Sequence, residues 1–286
     1  MKLINQSFEI LEQKDFTIIG IKKFIERCGR VCYKSEDRIT DDSYEKFVNM
    51  LESRGHDRPL EFGTVHLKMI LPDFEGFIHS LLTIGMLNNI WIKHAYKGDV
   101  IYITTNYRYY LDIIKYFPNV KEYFTEEDNE YYPKRYTVHM ILDRGVMDEF
   151  RTHIGLSHLA ESTRYCRYSK DKFGREVTFI EPCWEIKTAN EVITPEGTHM
   201  SSDSLEFLTA LNEAEDHYLS LLAKGWTPQQ ARSVLPLGIK SELISCGFED
   251  SWENFFKRRD APDAHPMAQE IAKPMHEEFL KLTKAS

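Results

Sequence analysis

The stretch Arg135-Tyr-Thr-Val-His-Met-Ile-Leu142 decides the fold class of this sequence. Apolar or β-branched residues alternate with polar ones along it, which predicts a strand with one buried face. The stretch Thr64-Val-His-Leu-Lys-Met-Ile70 has the same alternation. Two further strands are predicted at Ile239–Phe248 and Val100–Thr105. Several strands of this kind predict a sheet with a packed face and a more polar one.

Segments with helical periodicity separate these strands. Residues 42–54 place Tyr44, Phe47, Val48 and Leu51 on one face, at the spacing of an amphipathic helix. Other helices are predicted at Ile18–Arg30, Asn106–Tyr116, Ser204–Ala223, Asp250–Lys257 and Pro266–Leu282, the last kinked by Pro274. The order of elements has no regular βαβ rhythm. We therefore predict a single α+β domain over residues 1–286, with a mixed or antiparallel sheet flanked by helices.

Composition excludes several classes of protein. The chain has 286 residues with 45 acidic and 36 basic side chains, a formal charge of −9, whereas a protein that binds nucleic-acid polymers should be broadly basic. No apolar stretch is long enough to span a membrane. The N-terminus lacks an apolar signal core, so we expect a cytoplasmic protein. The five cysteines form no CxxC pair, which favours free thiols over a disulfide framework or a metal site.

Local charge points to a candidate site. Residues 151–175 carry six basic and two acidic side chains, so this segment is +4 within an acidic chain. Such a concentration suggests a bound anion. Within it, Glu161-Ser-Thr-Arg-Tyr165 supplies two hydroxyls and a guanidinium, groups that bind phosphate oxygens. On composition alone, a helix end with a solvated arginine is an equally good interpretation of this motif.

A predicted helix precedes this segment. Met147, Phe150 and Ile154 fall on one helical face, so His153 should point away from the apolar stripe. A lone histidine of this kind is more often structural than functional.

A second short helix is predicted downstream. The stretch Thr227-Pro-Gln-Gln230 is typical of a capping box, with Pro228 at the first helical position and Gln230 reaching back. This helix is expected to carry Arg232 and to finish before Pro236.

Several separated segments match one family in the correct order. The longest is Ser157-x-x-x-Glu161-Ser-Thr-Arg-Tyr-Cys-Arg-Tyr-Ser-Lys-Asp-Lys-Phe-Gly174. The others are Arg30-Val-Cys-Tyr-Lys-Ser35, Arg54-Gly-His56, Pro59-Leu-Glu61, Asp143-Arg-Gly-Val146, Ala231-Arg-Ser-Val-Leu-Pro-Leu237, Phe255-Phe-Lys-Arg-Arg259 and Asp263-Ala-His-Pro266. These segments resemble the flavin-dependent thymidylate synthases, the ThyX family. The resemblance extends in order over nearly the whole chain.

The resemblance implies a homotetramer with active sites between subunits. It also implies FAD as cofactor and methylation of dUMP with methylenetetrahydrofolate and NADPH, without attack by an enzyme cysteine. The nucleotide site maps onto Ser162, Thr163, Arg164 and Arg232, with Arg232 as the candidate catalytic residue. Contacts to the flavin map onto His153, Arg259 and His265.

The sequence departs from the family pattern on the flavin and folate side. Thr152 and Ile154 stand at two arginine positions of the Arg-His-Arg motif, and Phe62 stands at a histidine position. Leu159 and Ala160 replace the usual Asn or Ala and Glu or Gln. The nucleotide-side residues match. Two hypotheses follow: a FAD-dependent thymidylate synthase, or a homologue that binds a pyrimidine nucleotide with lost or altered flavin chemistry. A different flavin-dependent modification of a pyrimidine is a third.

Overall fold

Two four-stranded antiparallel sheets form the framework of the protein in this computed structural model. The structure describes residues 1–88, 90–164, 166–170, 173–184, 191–193 and 199–285. The strands are β1 (Lys2–Ile4), β2 (Ser7–Leu11), β3 (Thr64–Ile70), β4 (Ile92–Lys97), β5 (Val100–Asn106), β6 (Phe124–Thr125), β7 (Arg135–Asp143), β8 (Ser157–Ala160), β9 (Thr178–Ile180), β10 (Glu191–Ile193), β11 (His199–Ser201) and β12 (Lys240–Phe248). The helices are α1 (Ile18–Val31), α2 (Ser43–Arg54), α3 (Leu71–Thr83), α4 (Tyr107–Tyr116), α5 (Arg144–Phe150), α6 (Ser202–Ala223), α7 (Pro228–Ala231), α8 (Glu249–Arg259) and α9 (Pro266–Ala285).

The strand order confirms the predicted α+β class. The first sheet has the order β2-β7-β12-β8, and the second has the order β4-β5-β3-β6. A short parallel pair joins β1 to β9, and β10 pairs with β11 in antiparallel fashion. Helices cover the sheets, so the prediction of a mixed or antiparallel sheet flanked by helices is correct.

Strand β12 is buried along eight of its nine positions because both faces of the first sheet are covered. On one face, Leu243 packs in an apolar cluster with residues of α5, α8 and α9. On the other face, Ile244 and Cys246 pack against Phe24 and Cys28 of α1. A strand covered on both faces is expected to be apolar almost throughout, and this isolates the few charged side chains it carries.

Helix α1 connects the two sheets. Ile21 and Ile25 pack into the core of the second sheet, whereas Phe24 and Cys28 face the first sheet. The hydroxyl of Thr17 accepts a hydrogen bond from the backbone N–H of Gly20 at 3.0 Å and caps the helix.

Helix α5 is shorter than its apolar spacing predicts. It ends at Phe150, and Ile154 lies beyond it with 86% of its surface exposed. The prediction that Ile154 shares the apolar face is therefore wrong. The hydroxyl of Thr152 donates to the carbonyl oxygen of Glu149 at 2.7 Å and satisfies a carbonyl at the helix end. His153 is buried, 4.9 Å from the ring of Phe255, so its predicted position away from the apolar side is also wrong.

The cysteines are free in the structure, with Cys28, Cys166 and Cys246 buried and Cys183 exposed. This confirms the prediction of unpaired thiols. Among the described helices, none combines the length and the hydropathy that crossing a bilayer requires.

Candidate functional site

Three chain segments meet at one end of the first sheet. Strand β12 runs antiparallel to both β7 and β8, with Lys240 opposite Asp143 and Leu243 opposite Ala160. Its first residue therefore lies beside the last residue of β7, and the segment that follows β8 continues past Leu243 toward the same end. The segments after β7, after β8 and before β12 converge at this end, and they contain most of the predicted nucleotide residues.

Arg232 and Thr163 are in direct contact although 69 residues separate them in the sequence. Nη1 of Arg232 donates to the hydroxyl oxygen of Thr163 at 3.0 Å. Thr163 is only 8% exposed, whereas Arg232 is exposed. The fold thus joins two motifs that the sequence could only propose as partners.

The turn before Arg232 has the predicted cap. The side-chain oxygen of Gln230 accepts from the backbone N–H of Thr227 at 2.9 Å and from its hydroxyl at 2.8 Å. Arg232 itself lies one residue beyond α7, in the 3-10 turn Arg232–Val234. The cap sets the direction in which this turn leaves the helix, and therefore where the guanidinium lies.

A cavity of about 210 Å³ adjoins this contact. Its described lining consists of Arg144, Thr163, Arg232, Ser233, Leu235, Pro236, Leu237 and Ile239. Two arginines, a threonine and a serine line it together with apolar residues, and the described lining contains no carboxylate. A pocket of this composition suits an anionic group attached to a less polar body. We call it the arginine cavity.

Ser162 and Arg164 are outside the described lining of the arginine cavity. The backbone N–H of Ser162 donates to the carbonyl oxygen of Cys32 at 3.2 Å, and Arg164 is exposed. Tyr165 and the Asp171-Lys172 pair of the cationic segment lie outside the described residues. The structure therefore brings Thr163 and Arg232 together and leaves Ser162 and Arg164 next to them along the chain.

His153 and Arg259, two residues assigned to the flavin, bind each other. Nε of Arg259 donates to Nε2 of His153 at 2.9 Å. The same guanidinium donates to the Glu149 carboxylate at 2.7 Å and to the Glu149 carbonyl oxygen at 2.8 Å. Burial, with the positive charge of Arg259, lowers the pKa of His153 to about 4. The imidazole is therefore neutral at pH 7, as an acceptor at Nε2 must be.

The flavin-side positions do not fit FAD within the described part of one chain. Arg259 directs its N–H groups at Glu149 and His153, and Nε2 of His153 is already an acceptor. Phe62 is fully buried in the apolar cluster between α1 and the first sheet. Ile154 is exposed and has no polar side-chain atom. These positions offer few of the donors that an anionic, reduced flavin needs.

His265 lies near the other end of α5. Its Nδ1 accepts from the backbone N–H of Met267 at 3.3 Å, and its ring is 6.0 Å from that of Trp184. Burial raises the pKa of Asp143, the capping residue of α5, while hydrogen bonds from Val146 and from the Gly145 backbone and the charge of His265 act in the opposite direction. The charge of His265 thus acts on the residue that caps α5, whereas His153 follows the last turn of that helix.

Sequence reasoning missed a buried ionic cluster beside the same sheet end. Lys240 donates to Glu161 at 2.9 Å and also to Glu242. Lys34 and His139 contact the same Glu242 carboxylate at 2.7 and 2.9 Å. Burial alone would raise the pKa of Glu242, but the His139 hydrogen bond and the two lysines hold it well below its usual range. The available signal was the pair of charges at positions 240 and 242 in an otherwise apolar strand.

Comparisons with known proteins bear on the segment that contains this sheet end. The family model described as thymidylate synthase complementing protein (Thy1) matches residues 134–283. Two solved structures of the UMP/dUMP methylase PolB from Streptomyces cacaoi are similar over 99% of this chain at 15% sequence identity. The complex with 5-Br dUMP is covered to 93% with a TM-score of 0.43, and the complex with 5-Br UMP to 92% with a TM-score of 0.45. No curated protein matches the chain. Every lining residue of the arginine cavity lies inside the range that the family model matches.

Proposed function

Since the chain belongs to the Thy1 family of thymidylate synthase complementing proteins, we propose that it binds dUMP and methylates the nucleotide to dTMP. The observation that carries the proposal is the contact between Arg232 and Thr163 beside the arginine cavity. The nucleotide is anionic, and the described lining of this cavity is cationic without a carboxylate.

The residues of the site have separate tasks in this proposal. Arg232 offers a planar fork of donors to phosphate or to a pyrimidine carbonyl oxygen. Thr163 accepts from Arg232, so its own hydroxyl hydrogen is available to a ligand oxygen. Ser162 and Arg164 flank Thr163 and extend the site along the ligand. The apolar residues before β12 exclude water from one side of the cavity.

The reaction partners follow from the family resemblance. In the proposed reaction methylenetetrahydrofolate supplies the one-carbon group and NADPH supplies the electrons, with FAD as the cofactor. A homotetramer with sites between subunits belongs to the same proposal. The contacts of His153 and Arg259 do not fit FAD within one chain, so an interface would have to supply the missing donors.

A second candidate function rests on that observation. If His153 and Arg259 remain bonded to each other, the protein is a homologue that binds a pyrimidine nucleotide without flavin chemistry. The two candidates share the nucleotide site and differ in their uptake of flavin.

Thermal unfolding and visible spectroscopy of the purified protein test both candidates. We expect dUMP to stabilise the protein, by about 2.7 kcal/mol at a concentration 100 times Kd. Arg232→Ala should abolish this stabilisation, since it removes the exposed guanidinium. A yellow protein that bleaches with NADPH and forms dTMP from dUMP would support the synthase. A colourless protein that dUMP stabilises, but that forms no dTMP when supplied with FAD, would support the second candidate.

Failure of dUMP to stabilise the wild-type protein would contradict both candidates. Equal stabilisation of the wild type and Arg232→Ala would place the nucleotide elsewhere in the molecule.

A further inference from the structure

We propose that Arg144 is the residue that distinguishes a nucleotide from a nucleoside in this site, by binding the 5′-phosphate within the arginine cavity. This inference rests on the proposed nucleotide function. The sequence motifs assign no role to Arg144.

The position of Arg144 follows from the sheet register. Because Asp143 ends β7 opposite Lys240, the next residue lies beside the segment that enters β12. The backbone N–H of Arg144 donates to the carbonyl oxygens of Leu237 at 2.9 Å and Ile239 at 3.1 Å. Leu237 and Ile239 also line the arginine cavity. The start of the Arg144 side chain is therefore fixed to the wall of the cavity that Arg232 lines.

The charges around the cavity are unbalanced. Arg144 and Arg232 both line a space of about 210 Å³ whose described lining has no acidic residue. Among the described residues Arg144 pairs with Asp148, 3.4 Å from its Nε, and the two side chains are 26% and 52% exposed. An ion pair that is open to solvent on the carboxylate side contributes little. Two guanidinium groups that share a small cavity repel each other, and an anion between them removes that repulsion.

The donor set fits a phosphate monoester better than a carboxylate. The lining of the cavity combines two arginines with the hydroxyl residues Thr163 and Ser233. A phosphate dianion has three terminal oxygens that accept from several donors at once, whereas a carboxylate has two. Only 8% of the surface of Thr163 is exposed. Its hydroxyl therefore lies at the buried end of the site and not on the solvated surface.

Isothermal titration of dUMP and deoxyuridine tests this assignment on the full-length protein. We expect Arg144→Ala to reduce dUMP affinity 10- to 100-fold, roughly the effect of losing one charge-assisted pair. Deoxyuridine affinity should change less than about twofold, because the nucleoside lacks the phosphate. Arg144→Lys keeps the charge without the planar fork, so it should retain part of the preference for dUMP. Arg38→Ala, an exposed arginine outside the cavity lining, is the matched control and should bind both ligands as the wild type does.

Each other outcome has a definite meaning. If Arg144→Ala binds dUMP as the wild type does, the assignment is wrong while the nucleotide site stands. If it loses dUMP and deoxyuridine in equal proportion, Arg144 is structural and the assignment is again wrong. If the wild type prefers neither ligand and binds no dUMP, the proposed function itself is wrong, and the inference falls with it.

Discussion

Arg232 follows α7 and Arg259 is the last residue of α8, but their guanidinium groups have different surroundings. Arg232 is exposed, and its side-chain contact with a described residue is the hydroxyl of Thr163. Arg259 has a side chain 17% exposed and contacts a carboxylate, a carbonyl oxygen, a hydroxyl and an imidazole within residues 149–153. A guanidinium so fully bonded holds the end of α8 against the end of α5. Arg232 keeps donors for a ligand, whereas Arg259 in this arrangement is a structural residue.

We expect Arg259→Ala to lower the free energy of unfolding by about 2 kcal/mol. Hydrogen bonds to charged groups contribute roughly 1.5–3 kcal/mol, and the partial exposure of Glu149 reduces that contribution. Urea unfolding measures the change. Arg258→Ala, the exposed neighbour on the same helix, is the control and should stay within about 0.5 kcal/mol of the wild type. If Arg259→Ala is as stable as the wild type, Arg259 is not a structural residue and becomes a candidate for ligand binding again.

The bounds of a helix or strand can be predicted from the sequence where neighbouring residues determine them. The bounds of β3 agree with the alternation from Thr64 to Ile70, and α2 ends before Gly55, whose φ is +63°. Helix α5 differs because a contact from a distant part of the chain decides its end. The carbonyl oxygen of Glu149 accepts from Arg259, 110 residues away. Periodicity contains no information about such a partner, so the sequence predicted a longer helix.

The cap of α7 links element stability to ligand binding. Gln230 holds Thr227 and thereby fixes the turn that presents Arg232. We expect Gln230→Ala to weaken dUMP binding about fivefold, since loss of a helix cap costs roughly 1 kcal/mol. Gln229→Ala removes an exposed side chain of the same turn without the cap contact, and it should bind dUMP normally. Titration with dUMP compares the two variants. Equal affinities for both would show that the cap does not determine the position of Arg232.

The whole molecule shows why the site was only partly predictable. Residue type and order along the chain were enough to predict Thr163 and Arg232 as parts of one site, and the two residues do contact each other beside the arginine cavity. Arg144 lies beside the arginine cavity only because of the register of β7 on β12. The net charge of −9 argues against a broad nucleic-acid surface but contains no information about one cationic cavity. Strand register brings the residues of a small ligand site together, and composition contains no information about register.

Three buried histidines make the stability of the whole fold depend on pH. Burial lowers the pKa values of His66, His153 and His158 to about 4. His66 stacks between Phe16 at 4.4 Å and Tyr132 at 4.0 Å, and as a neutral ring it donates from Nδ1 to the carbonyl oxygen of Glu127 at 2.8 Å. Unfolded histidine takes up its proton near pH 6.5, so between pH 6.5 and about 4 the unfolded chain binds more protons than the native protein. Stability is therefore full above pH 6.5 and is lost as the pH falls toward 4.

His66→Phe separates this effect from packing. For His66, nearby Lys134 and Arg135 act with burial, while the Glu127 carbonyl and Asp128 oppose it. We expect each buried histidine to cost the wild type roughly 2 kcal/mol between about pH 7 and about pH 5. His66→Phe keeps a stacked ring that cannot be protonated, so its stability should fall by that much less over the same interval. Urea unfolding at the two pH values measures the difference. Phe16→Leu is the control, because it loosens the same stack without removing a titrating group and should destabilise the protein equally at both pH values. An unchanged pH dependence in His66→Phe would show that the native protein protonates this ring without cost.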